Sequence, residues 1–411
     1  MYADNFRLTC DEYVKIDDNI WFSAQGHNGL YCMDCNNKEA RLVSEFPGEN
    51  AMGYRLYKSI TRAGDKLFFA PCNASSVAVY DISKQEMKMI AVEERQSPRK
   101  TVFGKGFKFW TAVAYYPWIY FMGHGYPAIL RINADTLETK YITDWVPDAN
   151  YIADSDNRAP YFVEGCIEGR KGLFPFACAD GVAEVDMFTG DVSVICLDSG
   201  IDGYNGMAFD GSYYWLVPRN DNRVIRWDKE KNETICMEIG RQKCLPFYTP
   251  IIINDYVYLP PILSEHFYKI DTHSLEVSVV SDMEFIYQVK DYVHASCRDV
   301  VIAPRKTEDN RIVFITSCDS KWHMIDMWHG KREEFIVATD KSEMKRLLQM
   351  RLQNASAWQR GRVSRLLWEN ENNTLEKFLN SDLQKNRPRN LYKNFTIGGN
   401  IYSAICFDLE S

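Results

Sequence analysis

The side chains best suited to chemistry in this sequence are histidines and arginines that lie next to short apolar runs. His27 and His124 stand in the glycine-containing segments SAQGHNG and GHGYP, and the second segment also holds Tyr126. Imidazole gains and loses a proton near neutral pH, so it suits proton transfer or metal binding. Arg55 and Arg219 adjoin similar runs, and a guanidinium binds two oxygens of a carboxylate or phosphate at once. The pattern indicates an anion-binding or acid–base site.

Two further segments add charged candidates to this set. The segment EERQSPRKTVFGKGFKFW is basic and aromatic, and its Arg99 and Lys100 are predicted to contribute to ligand binding. The segment YFVEGCIEGR places Glu164 and Glu168 four residues apart, which puts both on one face of a strand. A carboxylate of this kind can act as a general base, so Glu164 joins His27 and His124 as a catalytic candidate.

The motifs that would identify a known catalytic or cofactor site are missing. The sequence contains no G-x-S-x-G, no phosphate-binding P-loop, no dinucleotide-binding G-x-G-x-x-G after a strand, and no H-E-x-x-H or H-x-H. Its one C-x-x-C, Cys32 to Cys35, has no second pair and no nearby histidine. Three histidines, His27, His124 and His266, lie in equivalent loops of three different repeats and could hold a metal, but no carboxylate cluster supports one. We therefore predict neither a metal nor a cofactor.

The overall composition excludes several classes of protein. The 411 residues include 48 Lys or Arg and 56 Asp or Glu, for a net charge of −8, which argues against a nucleic-acid-binding protein. There is no basic and apolar leader at the start and no apolar run long enough to span a bilayer. We expect a cytoplasmic protein whose 12 cysteines are reduced.

One phrase recurs seven times along the chain and predicts the elements that position these residues. Each copy is an aromatic-rich apolar strand, a polar gap, a strand ending in an apolar residue and Asp or Asn, a short turn and another strand. The anchors lie 42 to 55 residues apart and are Asp34, Asp81, Asn133, Asp186, Asp228, Asp271 and Asp326. With one more apolar run upstream, every copy has four short strands, which is typical of a β-propeller blade. The anchors themselves are expected to cap turns.

The predicted fold is therefore all-β, a seven-bladed β-propeller over residues 1–338 with a helical C-terminal extension. Residues 339–385 show apolar spacings of three and four, which is typical of helices. Residues 341–365 hold seven Lys or Arg and one Glu, so this extension either braces the propeller or binds an anionic protein partner. Residues 386–411 are expected to pack back on the propeller, and the pattern over 395–407 fits either a strand or a helix.

The repeat also predicts where the candidates meet. In a propeller, the loops joining second to third strands and the segments that lead into each blade converge on one end of the central channel. His27 and His124 lie in such loops, with Tyr126 and Arg219 beside them, and Arg55 lies in such a segment. We call this end the channel mouth. Most of the aromatic residues are assigned to packing between blades instead.

The repeated phrases resemble a known class of proteins. The segments GHGYPAILRINADTLETKYITDW, FDGSYYWLVPRNDNRVIRWD and RLYKSITRAGDKLFFAPCNASSVAVYDI carry the likeness, which covers residues 15–338. The chain resembles kelch-like β-propellers in the broad sense, and more specifically a group of uncharacterised bacterial propeller proteins. The resemblance implies the fold and assigns no catalytic residue, because fold does not fix function.

Three hypotheses for function follow. The first is a binding module whose channel mouth recognises an anionic small molecule, glycan or peptide. The second is a propeller enzyme, a lyase, cyclase or hydrolase, in which His and Arg at the same mouth transfer a proton and stabilise an oxyanion. The third is a scaffold that binds a protein partner through the basic helices.

Overall fold

The computed structural model describes residues 7–96, 107–153, 160–287, 299–317 and 319–354. Within these ranges the chain forms seven four-stranded antiparallel sheets, each made of four strands that are consecutive in the sequence. First strands of neighbouring blades contact one another at five of the seven junctions in the described residues, so they surround a central channel, and the fourth strands lie at the periphery. The protein is a seven-bladed β-propeller, as the repeat predicts.

The first four blades occupy the N-terminal half of the propeller. Their strands are β1 (Tyr13–Ile16), β2 (Asn19–Ser23), β3 (Leu30–Asp34) and β4 (Ala40–Ser44); β5 (Tyr57–Ala63), β6 (Lys66–Pro71), β7 (Ser76–Asp81) and β8 (Glu86–Ala91); β9 (Phe109–Tyr115), β10 (Trp118–Gly123), β11 (Ile129–Asn133) and β12 (Thr139–Ile142); and β13 (Cys166–Glu168), β14 (Lys171–Pro175), β15 (Gly181–Asp186) and β16 (Val192–Cys196). A short helix, α1 (Val146–Ile152), lies between the third and fourth blades.

The remaining three blades and a helix complete the described chain. The strands are β17 (Tyr204–Phe209), β18 (Tyr214–Pro218), β19 (Arg223–Asp228) and β20 (Glu233–Glu238); β21 (Ile251–Ile253), β22 (Tyr256–Leu259), β23 (Tyr268–Asp271) and β24 (Val277–Val279); and β25 (Val301–Lys306), β26 (Arg311–Thr316), β27 (Trp322–Asp326) and β28 (Lys331–Phe335). A 3-10 helix spans Ser281–Tyr287, and α2 spans Lys341–Asn354. No helix of the described residues is long and apolar enough to cross a membrane.

The hydrophobic core is divided among the seven interfaces between blades. The described residues form seven buried apolar clusters, and each joins two neighbouring blades. In β6, Leu67 and Phe69 face the first blade, whereas Phe68 and Ala70 face the third. Successive side chains of a strand point to opposite faces, and both faces of each blade are covered. This is why the second strands are continuous apolar runs and show no polar alternation.

The seven anchor residues cap turns, which confirms their predicted role. Each is the last residue of a third strand, and its side-chain oxygen accepts a backbone N–H from two or three residues further on. Asn133, for example, accepts from Asp135 N at 2.9 Å and from Thr136 N at 3.0 Å. An amide oxygen and a carboxylate oxygen satisfy these donors equally, which explains the single Asn among six Asp residues.

The ring closes without exchange of a strand between the first and last blades. Leu8 N donates to Val337 O and Ala40 N donates to Ala338 O, both at 2.9 Å. The buried indole of Trp322 in the seventh blade donates to Leu8 O at 3.1 Å. The chain segments at the two ends of the propeller thus bridge the junction, a detail that the sequence leaves open.

Helix α2 packs on the same junction. Met344 and Leu347 belong to the apolar cluster between the first and seventh blades, and Leu347 is 1% exposed. Tyr31 of the first blade donates to Glu343 at 3.1 Å. The first part of the predicted extension therefore braces the ring closure, and the rest of it, with residues 386–411, lies outside the described residues.

Replacing Asn133 by Ala is expected to lower the free energy of unfolding by about 1 kcal/mol, because two turn N–H groups lose their acceptor. Asn133→Asp is the matched control and should retain nearly all of the stability, since six blades use Asp at this position. Urea unfolding of both variants measures the difference. An equal loss in the two variants would contradict the capping role.

Leu347→Ala should cost about 2–3 kcal/mol, because it leaves a cavity where α2 meets the ring closure. Gln349→Ala changes an exposed residue of the same helix and should leave the unfolding midpoint nearly unchanged. Equal midpoints for the two variants would show that α2 does not brace the ring.

Candidate ligand site at the central channel

The loops that join second to third strands meet the chain segments that lead into the blades, as the propeller geometry requires. In every blade a backbone hydrogen bond joins the loop to the segment that leads into the first strand of the same blade. These bonds run from Gln25 N to Thr9 O, Cys72 N to Leu56 O, His124 N to Lys108 O, Ala177 N to Tyr161 O, Arg219 N to Gly203 O, Tyr248 N to Pro260 O and Ser317 N to Val300 O. The channel mouth is therefore built from both kinds of segment.

A repeated irregularity occurs near the start of the first strand in three blades. Lys58, Trp110 and Asn205 are each an extra residue at a register shift between the first and second strands of their blades. A β-bulge of this kind leaves its extra residue unpaired and redirects the side chain. In each case the preceding aromatic residue is buried, so the packed strand holds the bulge in place.

An ion pair spans the channel. Arg305 Nη1 lies 2.9 Å from Glu164 Oε2, and Arg305 Nη2 lies 3.3 Å from Glu12 Oε1. Thr249 Oγ1 donates to Glu164 Oε2 at 2.8 Å. Burial raises the pKa of Glu12, and the guanidinium of Arg305 opposes that rise. Residues of four different blades or their leading segments are thus tied together across the axis.

A second ion pair lies at the mouth. Arg55 Nη2 is 3.0 Å from Asp11 Oδ1, and Gln25 Nε2 donates to the same oxygen at 3.1 Å. Tyr248 OH donates to Asp299 Oδ2 at 3.0 Å. Burial raises the pKa of Asp299, whereas the Tyr248 hydrogen bond and the charge of Arg55 oppose the rise. Arg55, a predicted binding residue, is therefore already neutralised by a protein carboxylate.

Lys58, Trp110 and His124 form an aromatic and cationic cluster. Lys58 Nζ lies 4.0 Å from the centroid of the Trp110 ring, and Trp110 stacks on His124 at 4.3 Å with an angle of 21°. His124 is 4% exposed, and its Nδ1 is 2.6 Å from Phe162 O. A carbonyl oxygen can only accept, so Nδ1 carries the hydrogen and Nε2 carries the lone pair.

Charge and burial keep His124 neutral. Burial lowers its pKa to about 3, the Phe162 carbonyl opposes this, and the positive charges of Arg219 and Lys58 lower it further. At neutral pH the ring therefore accepts a hydrogen bond at Nε2 and carries no charge. Lys58 is connected to this imidazole through Trp110, whose ring contacts both side chains.

Lys58 and Arg219 are two cations at the channel that form no ion pair with another described residue. Among the described residues neither side chain has a carboxylate within ion-pair distance or a hydrogen-bond acceptor, in contrast to Arg55 and Arg305. Both side chains are half-buried. Burial lowers the pKa of Lys58 and that of Arg219. Two partly desolvated positive charges without counter-ions favour an anionic ligand.

The structure brings only some of the predicted site residues together. His124, Arg55, Arg219 and Glu164 lie at the channel or its mouth, as described above. Tyr126 is 4% exposed and packs between the second and third blades, where its OH donates to Glu93 O at 2.8 Å. Its side chain therefore faces the blade interface.

The other predicted residues are separated from this cluster. His27 is 2% exposed, and its Nε2 lies 2.8 Å from Tyr31 OH, which connects it to α2. Glu168 bonds to Tyr214 at the far end of β13, away from Glu164. Arg99 and Lys100 lie outside the described residues. No group of three or more His, Cys, Asp or Glu side chains within the described ranges is placed to hold a metal ion.

Sequence reasoning missed Lys58, Trp110, Tyr248 and Arg305, although a signal exists for three of them. Four blades carry the same tripeptide pattern, a buried aromatic residue, a variable residue and a small residue: YKS from Tyr57, FWT from Phe109, YNG from Tyr204 and FYT from Phe247. In the three blades with a bulge at the start of the first strand, the middle residue of the tripeptide is the extra residue of that bulge. Arg305 has no such signal, because it follows a different bulge in β25.

Replacing Arg305 by Met should lower the free energy of unfolding at pH 7 by about 2–3 kcal/mol, since two carboxylates lose their shared cation. Because the pKa of Glu12 is raised in the folded protein, the folded state loses stability as the pH rises above the ordinary pKa of a glutamate. Loss of Arg305 should raise the pKa of Glu12 further and so increase this loss of stability. The difference from the wild type should therefore be smaller at pH 5 than at pH 7 in urea unfolding.

Two variants serve as controls for this measurement. Arg305→Lys keeps the charge and should retain most of the stability. Arg170→Met removes an exposed partner of Asp186 and should have only a small effect at either pH. An equal loss of stability at pH 5 and pH 7 in Arg305→Met would show that the ion pair across the channel does not set the stability of the propeller.

Comparisons with known proteins agree on the fold. No family model matches the chain, and no curated protein sequence matches it. Virginiamycin B lyase from Staphylococcus aureus is similar in structure, with 12% identity and a TM-score of 0.55 over 77% of this chain and 96% of that one. A streptogramin B lyase is also similar, with 13% identity and a TM-score of 0.53 over 77% of this chain and 95% of that one. A chain of the mitotic checkpoint complex has 9% identity and a TM-score of 0.54 over 77% of this chain and 87% of that one. At these identities the likeness shows the propeller fold alone.

Proposed function

We propose that this propeller binds an anionic small molecule, glycan or peptide at the channel mouth, through Lys58 and Arg219. The observation that carries the proposal is that these two half-buried cations have no carboxylate partner among the described residues. An unpaired cation in a partly desolvated site is costly, and a ligand carboxylate or phosphate removes that cost. The fork of Arg219 can hold two oxygens, and Lys58 supplies a point charge.

The neutral His124 adds selectivity to this charge pairing. Its Nε2 lone pair accepts a hydrogen bond, so it favours a ligand with a hydroxyl or amide N–H close to the anionic group. Trp110 contacts both His124 and Lys58 and fixes their positions. Hydroxy acids, sugar acids and peptide carboxylates all combine an anion with such a donor.

Acid–base catalysis by the same residues receives less support. A pKa of about 3 leaves His124 without a proton to donate at neutral pH and makes it a weak base. The solved lyases are similar in fold at 12–13% identity, which transfers no reaction to this chain. A lyase, cyclase or hydrolase activity therefore ranks second to binding.

Arg219→Met should weaken the binding of citrate, glucuronate or phosphate by roughly tenfold or more, because a charge-assisted hydrogen bond is worth about 1.5–3 kcal/mol. The measurement is isothermal titration calorimetry with each anion. Arg223→Gln is the matched control, since it removes an arginine four residues away that is paired with Asp221 at 2.7 Å.

The outcome separates a specific site from general charge attraction. Equal weakening in Arg219→Met and Arg223→Gln would indicate attraction by overall charge only. Unchanged affinity in Arg219→Met for every anion that binds the wild type would overturn the assignment of the site.

A further inference from the structure

The backbone of Arg55 is fixed at the channel mouth, and its side chain reaches the protein surface. Arg55 N donates to Gln25 O at 2.7 Å, and Asn73 N donates to Arg55 O at 3.1 Å, so loops of the first two blades hold the residue. The guanidinium carbon lies 5.3 Å from the centroid of the Tyr54 ring, and Tyr54 is 54% exposed. The Arg55 side chain is itself 17% exposed, so a ligand at the mouth can contact it.

The ion pair between Arg55 and Asp11 is geometrically incomplete. It joins one nitrogen to one oxygen, with Arg55 Nη2 at 3.0 Å from Asp11 Oδ1. Within the described ranges, buried Arg55 Nε has no acceptor and buried Asp11 Oδ2 has no donor. A guanidinium and a carboxylate pair most strongly through two parallel hydrogen bonds. An oxyanion that meets Nε and Nη2 together would therefore bind Arg55 better than Asp11 does.

The other arginine of the channel is held by more contacts. Arg305 contacts two carboxylates, Glu164 at 2.9 Å and Glu12 at 3.3 Å. The described residues supply Arg55 with one carboxylate, and that carboxylate also accepts a hydrogen bond from Gln25 Nε2 at 3.1 Å. Asp11 thus keeps a donor when Arg55 turns to another anion, which lowers the cost of exchanging one partner for the other.

We propose that Arg55 is a second anion subsite of the channel mouth, and that Asp11 occupies it until a ligand carboxylate or phosphate group replaces it. This inference rests on the proposed function, because it requires that the mouth binds an oxyanion. The two hydrogen bonds that such a group can make to Nε and Nη2 drive the exchange. Arg55 lies three residues before Lys58, so one short stretch of chain supplies two of the binding cations.

Calorimetric titration of Asp11→Asn with citrate, and separately with inorganic phosphate, tests the proposal. Asparagine keeps the size of the side chain and an acceptor for Gln25 but removes the competing charge. The affinity for at least one of the two anions should therefore rise about tenfold over that of the wild type. A gain for one anion alone identifies the ligand group as carboxylate or as phosphate. The double variant Asp11→Asn/Arg55→Met should lose the gain.

Asp221→Asn is the matched control. It removes a carboxylate from the loop between β18 and β19, where Asp221 pairs with Arg223 at 2.7 Å, and so measures the effect of overall charge. Both affinities should stay nearly unchanged. An equal gain in Asp221→Asn, or no gain in Asp11→Asn, would overturn the second subsite. If Arg219→Met still weakens citrate binding in that case, the proposed function stands, and if neither anion binds any of these proteins, it fails as well.

The Nε–H resonance of Arg55 provides a readout on the wild-type protein, which keeps the proposal testable if Asp11→Asn does not fold. The resonance is assigned in a ¹H–¹⁵N spectrum by its absence from Arg55→Lys. Saturating citrate or phosphate should move this proton downfield, because Nε gains an acceptor. An unchanged resonance at saturation with both anions would contradict the replacement of Asp11.

Discussion

The structure depends on one constraint: each of the seven sheets is apolar on both faces and must be covered on both. A sheet of this kind is stable only between two others, so the row of blades has to close into a ring. The weakest point of such a ring is the junction between the first and last blades. Here the junction is bridged by the backbone pairs of Leu8 with Val337 and Ala40 with Ala338, and it is covered by α2.

Closing the ring creates a channel lined by first strands, and charged side chains occupy this channel. Arg305 joins Glu164 and Glu12 across the axis, and Arg55 pairs with Asp11 at the mouth. Buried pairs add little net stability, but each member needs its partner. Against this background of paired charges, Lys58 and Arg219 stand out because no carboxylate of the described residues forms an ion pair with either of them.

His27 and His124 lie in equivalent loops of two blades, but their surroundings give them different roles. His27 is buried within the first blade's loop and connects through Tyr31 to Glu343 of α2. His124 stacks on Trp110, bonds to Phe162 O and lies near two cations. The sequence gives both residues the same register and a glycine neighbour. Only the packing of α2 against the first blade, and the bulge that aims Trp110, separate a structural histidine from one at the candidate site.

The sequence by itself determined the blade count, the strand order and the turn caps, because these depend on contacts between residues close in the chain. The apolar runs and the Asp or Asn anchors recur in every blade and report local geometry. The tertiary structure alone decided which polar groups meet in the channel. Arg305 and Glu164 are 141 residues apart, and their contact depends on a bulge and on the closure of the ring. No pattern of neighbouring residues encodes such a pair, so the sequence indicated the face of the candidate site and missed several of the side chains that the structure brings together there.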